Sequence, residues 1–136
     1  MSSASVRQLA LAALLAVGAT ACGQHYVARG ADLYGDGHYI EAAEVFERTE
    51  SRLADSSPTE QARFGLYRGA TYLKLGDAAH AARWLGYARS VVTQDPSALG
   101  EHELSLLDAS LERLAQTNAS PPDPKPATEV ATAPAR

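Results

Sequence analysis

Few side chains in this 136-residue chain can make or break bonds. There is one cysteine, Cys22, and there are four histidines, at 25, 38, 80 and 102. A thiolate can attack an acyl donor or bind a metal, and an imidazole can move a proton or bind a metal. A metal site needs several such ligands at short spacing. No two histidines stand four apart, and none clusters with the cysteine. Glu41, Glu44 and Glu47 recur along one stretch, the pattern of a solvated helix face. Acid–base catalysis needs a buried, perturbed pair in a cleft, and nothing marks one. The chain also lacks Gly-x-Ser-x-Gly, the phosphate-cradling Gly-x-x-x-x-Gly-Lys and the dinucleotide fingerprint. These residues predict no enzyme, no metal and no cofactor.

The surroundings of the cysteine are more informative than the thiol itself. Residues 1–21 hold no acid and one base, Arg7. An apolar run from Leu9 to Val17 follows, then Ala19-Thr20-Ala21. Positive start, short apolar stretch and small residues make a secretory signal peptide, and the run is about half the ~20 residues a membrane span needs. Cys22 is the first residue after it. This resembles a bacterial lipoprotein signal, and the resemblance implies that the Cys22 sulfur is acylated and becomes the new N-terminus. Such signals carry Leu or Val where Ala19 stands here. Ala19-Thr20-Ala21 also suits ordinary signal peptidase, which would leave a soluble periplasmic protein with a free thiol. Gly23, rather than Asp, follows the cysteine; by resemblance to enterobacterial sorting this implies the outer membrane.

Cleavage after residue 21 leaves 115 residues, with 11 Lys and Arg against 16 Asp and Glu. An acidic domain is a poor nucleic-acid binder, because phosphate neutralisation needs clustered cations. It gains nothing from anionic lipid either, so membrane attachment has to come through the acyl chains. A lone cysteine excludes an internal disulfide framework.

Two stretches, Gly30–Thr49 and Gly69–Ala88, echo each other position by position. Gly30 pairs with Gly69, Gly37 with Gly76, Ala42 with Ala81 and Phe46 with Leu85, always at the same offset. Self-similarity at a fixed period of this order is the sign of stacked helical repeats. Gly69 and Tyr72 sit one helical turn apart, a notch and a knob on one face. Gly76-Asp77 predicts a break: glycine ends one helix in the left-handed conformation and Asp77 caps the next. Ala81, Leu85 and Ala88 then give a narrow face for close helix packing. Over residues 26–94 this resembles the tetratricopeptide repeat, a helix–turn–helix unit. The first copy departs from that family's pattern at Leu33 and Thr49. The offset exceeds the ~34 residues of an ordinary repeat, which places an insert of about five within Ser51–Pro58. Ser57-Pro58-Thr59-Glu60 is a helix start with a reciprocal cap.

Asp95-Pro96 predicts one more helix over about Ser97–Gln116, with Leu104, Leu107, Leu111 and Leu114 on one stripe, as a lid on the second repeat. The fold class is therefore all-α: a short, tetratricopeptide-like solenoid of two hairpins and a C-terminal capping helix. The expected organisation is signal peptide 1–21, lipidated tether 22–25, helical domain 26–116 and a disordered Pro/Ala-rich tail 117–136. So short a stack buries its apolar faces marginally, and pairing through an end face into a homodimer is a further expectation.

By resemblance, the first helix of each unit lines a groove for partner peptides. The residues placed there are Val27, Ala31 and Tyr34 in the first copy, and Arg63, Leu66, Tyr67, Ala70, Leu73 and Lys74 in the second. Leu66 and Ala70 stand where carboxylate-clamping repeats carry Lys and Asn, which points to an apolar helix or loop as ligand. The reading is a non-catalytic protein–protein interaction module: a small envelope lipoprotein serving as adaptor or assembly accessory, by analogy with the pilotins that escort secretin channels. Its expected partners are envelope proteins, and the membrane through the lipid. A structural tether with no groove ligand and a soluble periplasmic binding protein are the alternatives.

Overall fold

The computed structural model describes residues 24–119, and these are helical throughout save for short turns. The expected signal peptide and Cys22, and residues 120–136 of the expected tail, lie outside the described residues. Five α-helices follow in order: α1 Gln24–Gly35, α2 Tyr39–Thr49, α3 Pro58–Lys74, α4 Ala78–Gln94 and α5 Glu101–Ala119. A 3₁₀ turn, Glu50–Asp55, bridges α2 and α3. The helices reach beyond both expected domain edges, starting at Gln24 inside the tether and running past 116 to Ala119.

The helices stack in two layers. α3 packs against all four others, and α1, α3 and α5 lie side by side. α2 packs behind α1 and α3, and α4 packs behind α3 and α5, while α2 and α4 do not meet. A helix with neighbours all round must be buried all round. Ala62, Phe64, Gly65, Leu66, Arg68, Gly69, Ala70 and Thr71 of α3 are accordingly all buried.

The two hairpins, α1–α2 and α3–α4, turn in the same way. In the second, the Asp77 N–H donates to Tyr72 O (2.9 Å) and the Gly76 N–H to Leu73 O (3.3 Å). At the equivalent positions of the first, the His38 N–H donates to Leu33 O (2.8 Å) and the Gly37 N–H to Tyr34 O (3.1 Å). This is the Schellman arrangement, which satisfies the orphan carbonyls of a helix end with one left-handed residue. Gly37 and Gly76, at φ of +81° and +80°, supply it. The small-residue notches repeat as well. A Cβ on Gly30 would fall 2.3 Å from Phe46 Cζ, and one on Gly69 would fall 2.7 Å from Leu85 Cγ. Notch and knob are equally spaced along the chain in the two copies, Gly30 to Phe46 and Gly69 to Leu85.

Helix α3 starts as the sequence predicts. The Glu60 N–H donates to Ser57 Oγ, the Glu60 carboxylate accepts from the Ser57 N–H (3.0 Å), and Pro58 holds the first turn. Helix α5 starts later than expected, at Glu101 rather than Ser97. Asp95 is extended, and its Oδ1 accepts from the Ser97 N–H and hydroxyl at 3.0 and 2.6 Å. That local loop competes with helix. It also drives Ala98 and Leu99 into the core. Of the predicted stripe, Leu107 and Leu114 are buried and Leu104 and Leu111 half-buried, with Ser110 between them buried too.

Candidate functional site

The first helices meet along one face, and the last turns of α1 and α3 open there into a cleft of about 140 Å³ against α5. Tyr34, Ala70, Leu73 and Lys74 line one side; Leu106, Ala109, Ser110 and Arg113 of α5 line the other. Four predicted groove residues are thus brought together. The α5 half was missed by sequence reasoning, which treated that helix only as a lid. Its signal was present in Ala109 and Arg113, on the turn beside the leucine stripe.

The other predicted residues fall differently. Val27 is 2% exposed, packed with Phe46 and Phe64, and Leu66 is 0% exposed, packed with Leu85 and Leu107. Both belong to the core, a correction that follows from their helices having neighbours on more than one side. Ala70, 1% exposed, touches the cleft only as part of its floor. Ala31 is half-buried outside the cleft. Arg63 and Tyr67 lie toward the other end of α3, where Arg63 Nε donates to Glu103 Oε1 at 2.6 Å and joins α3 to α5.

Tyrosines gather on this face. Tyr34 packs against Tyr39 and Tyr67, with ring centroids 5.6 and 5.9 Å away. Burial, with Tyr39 and Tyr67 adding to it, raises the Tyr34 pKa above its ordinary value against the opposing charge of Arg113. Burial and then Glu103 raise that of Tyr67, against the pull of Arg63. Both phenols are neutral at physiological pH and can donate a hydrogen bond. Lys74 Nζ sits 5.9 Å from the Tyr39 ring centroid. Ile40, 65% exposed, and Leu75 each follow one of these residues in sequence and are large apolar side chains left in solvent among the described residues.

The 3₁₀ turn acts as a clasp through its first residue. Glu50, first residue of the 3₁₀ turn, accepts from Arg68 Nη1 at 2.7 Å and lies 3.6 Å from Arg83 Nη2. Arg68 is 4% exposed, and its guanidinium lies 4.1 Å from the Trp84 ring centroid. One carboxylate therefore ties the 3₁₀ turn to α3 and α4. A wider hollow of about 540 Å³ lies on this back side, between Leu53 of the turn and Trp84, Gly86 and Tyr87 of α4.

Chemically, the front cleft offers two cations, Lys74 and Arg113, the Tyr34 phenol, the Ser110 hydroxyl and an apolar floor. Among the described residues, no three His, Cys, Asp or Glu side chains gather to hold a metal, and no helix is long and apolar enough to cross a membrane. No protein-family model, curated protein or solved structure matches the chain.

Proposed function

We propose that the chain is a non-catalytic protein-interaction module of the tetratricopeptide type, held at the bacterial envelope by a lipid on Cys22 and serving as a small adaptor or assembly accessory. The observation that carries the reading is the doubled hairpin. The same turn hydrogen bonds and the same glycine-on-knob contact recur at equivalent positions of the two copies, with α1, α3 and α5 presenting one continuous face. Stacked repeats bind through such faces because each unit adds side chains to one extended surface. The tyrosines and the cleft give this face an apolar, hydrogen-bonding character suited to a polypeptide. The lipid address rests on Cys22 and the segment before it, and the pilotin-like role is analogy from fold class and address.

Two experiments test the two halves. Intact mass and fractionation of the chain expressed from its own start should give a diacyl or triacyl species beginning at Cys22 in the outer membrane; an unmodified periplasmic species would remove the anchor. A photocrosslinker placed in cells at Lys74 or Ala109 should capture one common partner, and one placed at Glu47 or Ala82 on the back layer should not. Equal capture from both layers, or none from the front, would contradict docking by this face.

A further inference from the structure

The seam between α3 and α5 has two unlike ends. At one, Arg63 and Glu103 close it with a charge-assisted hydrogen bond of 2.6 Å. At the other, Lys74 and Arg113 border the same 140 Å³ cleft, and among the described residues neither lies within ion-pair distance of a carboxylate. Carboxylates are not scarce: residues 24–119 hold 14 Asp and Glu against nine Lys and Arg. Arg63, Arg68, Arg83 and Arg89 each have one; of the other five, Arg29, Arg48, Arg52, Lys74 and Arg113, the last two border one cleft. Lys74 sits in the last turn of α3, where a cation complements the helix dipole. Arg113 lies more than a turn before the end of α5 at Ala119, beyond the reach of that effect.

The shape of the cleft narrows what would neutralise the pair. At about 30 Å³ per water, 140 Å³ has room for roughly one side chain. Its floor is apolar, from Ala70, Leu73 and Leu106, and its charge is at the rim. A carboxylate on a short aliphatic stem satisfies both, with the stem on the floor and the oxygens between the cations; inorganic phosphate has no stem to bury. The neutral Tyr34 phenol at the wall adds a donor.

We propose that the open end of the α3–α5 seam receives one Glu or Asp side chain of a partner polypeptide, held between Lys74 and Arg113. This deepens the docking reading above and rests on it. The bound acid would do for this end what Glu103 does for the other, and would set the partner's register along the face.

The test is a two-dimensional NMR titration of the full ¹⁵N-labelled chain with acetyl-Ala-Leu-Glu-Leu-Ala-amide, its Gln twin, and inorganic phosphate. The Glu peptide should shift amides in 70–74 and 106–113 and bind about tenfold tighter than the Gln peptide, the value of a charge-assisted pair over a neutral one. Lys74→Glu/Arg113→Glu, whose changes lie on exposed side chains and whose folding is checked by circular dichroism, should lose that preference. Equal binding of the Glu and Gln peptides in the cleft would overturn the acidic-residue proposal and leave docking by the face intact. Phosphate shifting the same amides as strongly as the Glu peptide would overturn it too, reducing the pair to an unselective anion contact. If no probe moves these amides the proposal fails, and the crosslinking experiment decides the docking reading by itself.

Discussion

In the first hairpin the knob that fills the glycine notch is Phe46, set among Tyr26, Phe64 and Trp84; in the second it is Leu85, set among Ala62, Ala81, Ala88 and Leu107. Phe46–Phe64 and Phe64–Trp84 are edge contacts at 5.1 and 5.4 Å, so the first core is a run of aromatic rings. The second is aliphatic and built from small residues. Its notch is two glycines deep, because a Cβ on Gly65 would meet Trp84 O at 3.0 Å. The first hairpin has helices of 12 and 11 residues, the second has two of 17. One turn geometry thus serves two packing solutions. Where neighbours cover both sides, small residues bring backbones together; at the open end, large rings cover more surface per residue.

The sharpest way to break this comparison is at the two notches. Gly69→Ala puts a Cβ 2.8 Å from the Leu85 backbone nitrogen, which cannot move without parting α3 from α4. It should cost about 2–3 kcal/mol in urea unfolding, the range of overpacked cores. Gly30→Ala has the Phe46 ring rather than backbone as its nearest contact and should cost less, about 1–2 kcal/mol. Equal costs would mean that the two notches are equally rigid. Next comes the clasp. Glu50→Ala takes the carboxylate from a buried guanidinium whose Nε already lacks a partner, and should cost about 2 kcal/mol. Arg83→Ala, removing the exposed partner of the same carboxylate, should change stability by about 0.5 kcal/mol or less.

Smaller effects separate the two turns. Asp77 Oδ1 accepts from the His80 N–H at 3.1 Å, whereas His38 caps α2 with no side-chain hydrogen bond. Giving the first turn the second's cap, His38→Asp, should add about 0.5–1 kcal/mol. The His80 backbone N–H, foremost, holds the Asp77 pKa below its ordinary 3.8. A lowered folded value means that stability is present above the ordinary carboxylate pKa and lost as pH falls through the lowered one. Asp77→Ala should therefore flatten the acid limb of the stability profile below about pH 4. Last, Gly86 has open space where its Cβ would be, unlike the notch glycines. Gly86→Ala should stabilise α4 by about 0.5–1 kcal/mol, checked by thermal melting.

Local signals in the chain were legible and non-local ones were not. The repeat offset foretold both turns and both notches, and Ser57-Pro58-Thr59-Glu60 foretold the cap of α3, because each is set by residues close together in sequence. The late start of α5 was missed because Asp95-Pro96 reads equally as a helix cap or as a turn; the hydrogen bonds to Ser97 choose the turn. Glu50 as a clasp could not be read, since its partners Arg68 and Arg83 lie far along the chain, on α3 and α4. Val27 and Leu66 were placed in the groove by the family resemblance, which assigns a face without showing how many neighbours a helix has. The cleft needed the docking of α5, which decides that Arg113 borders the same space as Lys74.

The central claim is that one hairpin unit is used twice, with α3 as the shared centre and the first copy the more weakly held. Native-state hydrogen exchange of the full chain tests it most directly. The account predicts the slowest exchange in α3 and α4, around Leu66, Ala70, Leu85 and Ala88, with α1 and α2 opening together at lower free energy. Protection in α1 and α2 equal to or above that of α3 and α4 would contradict it.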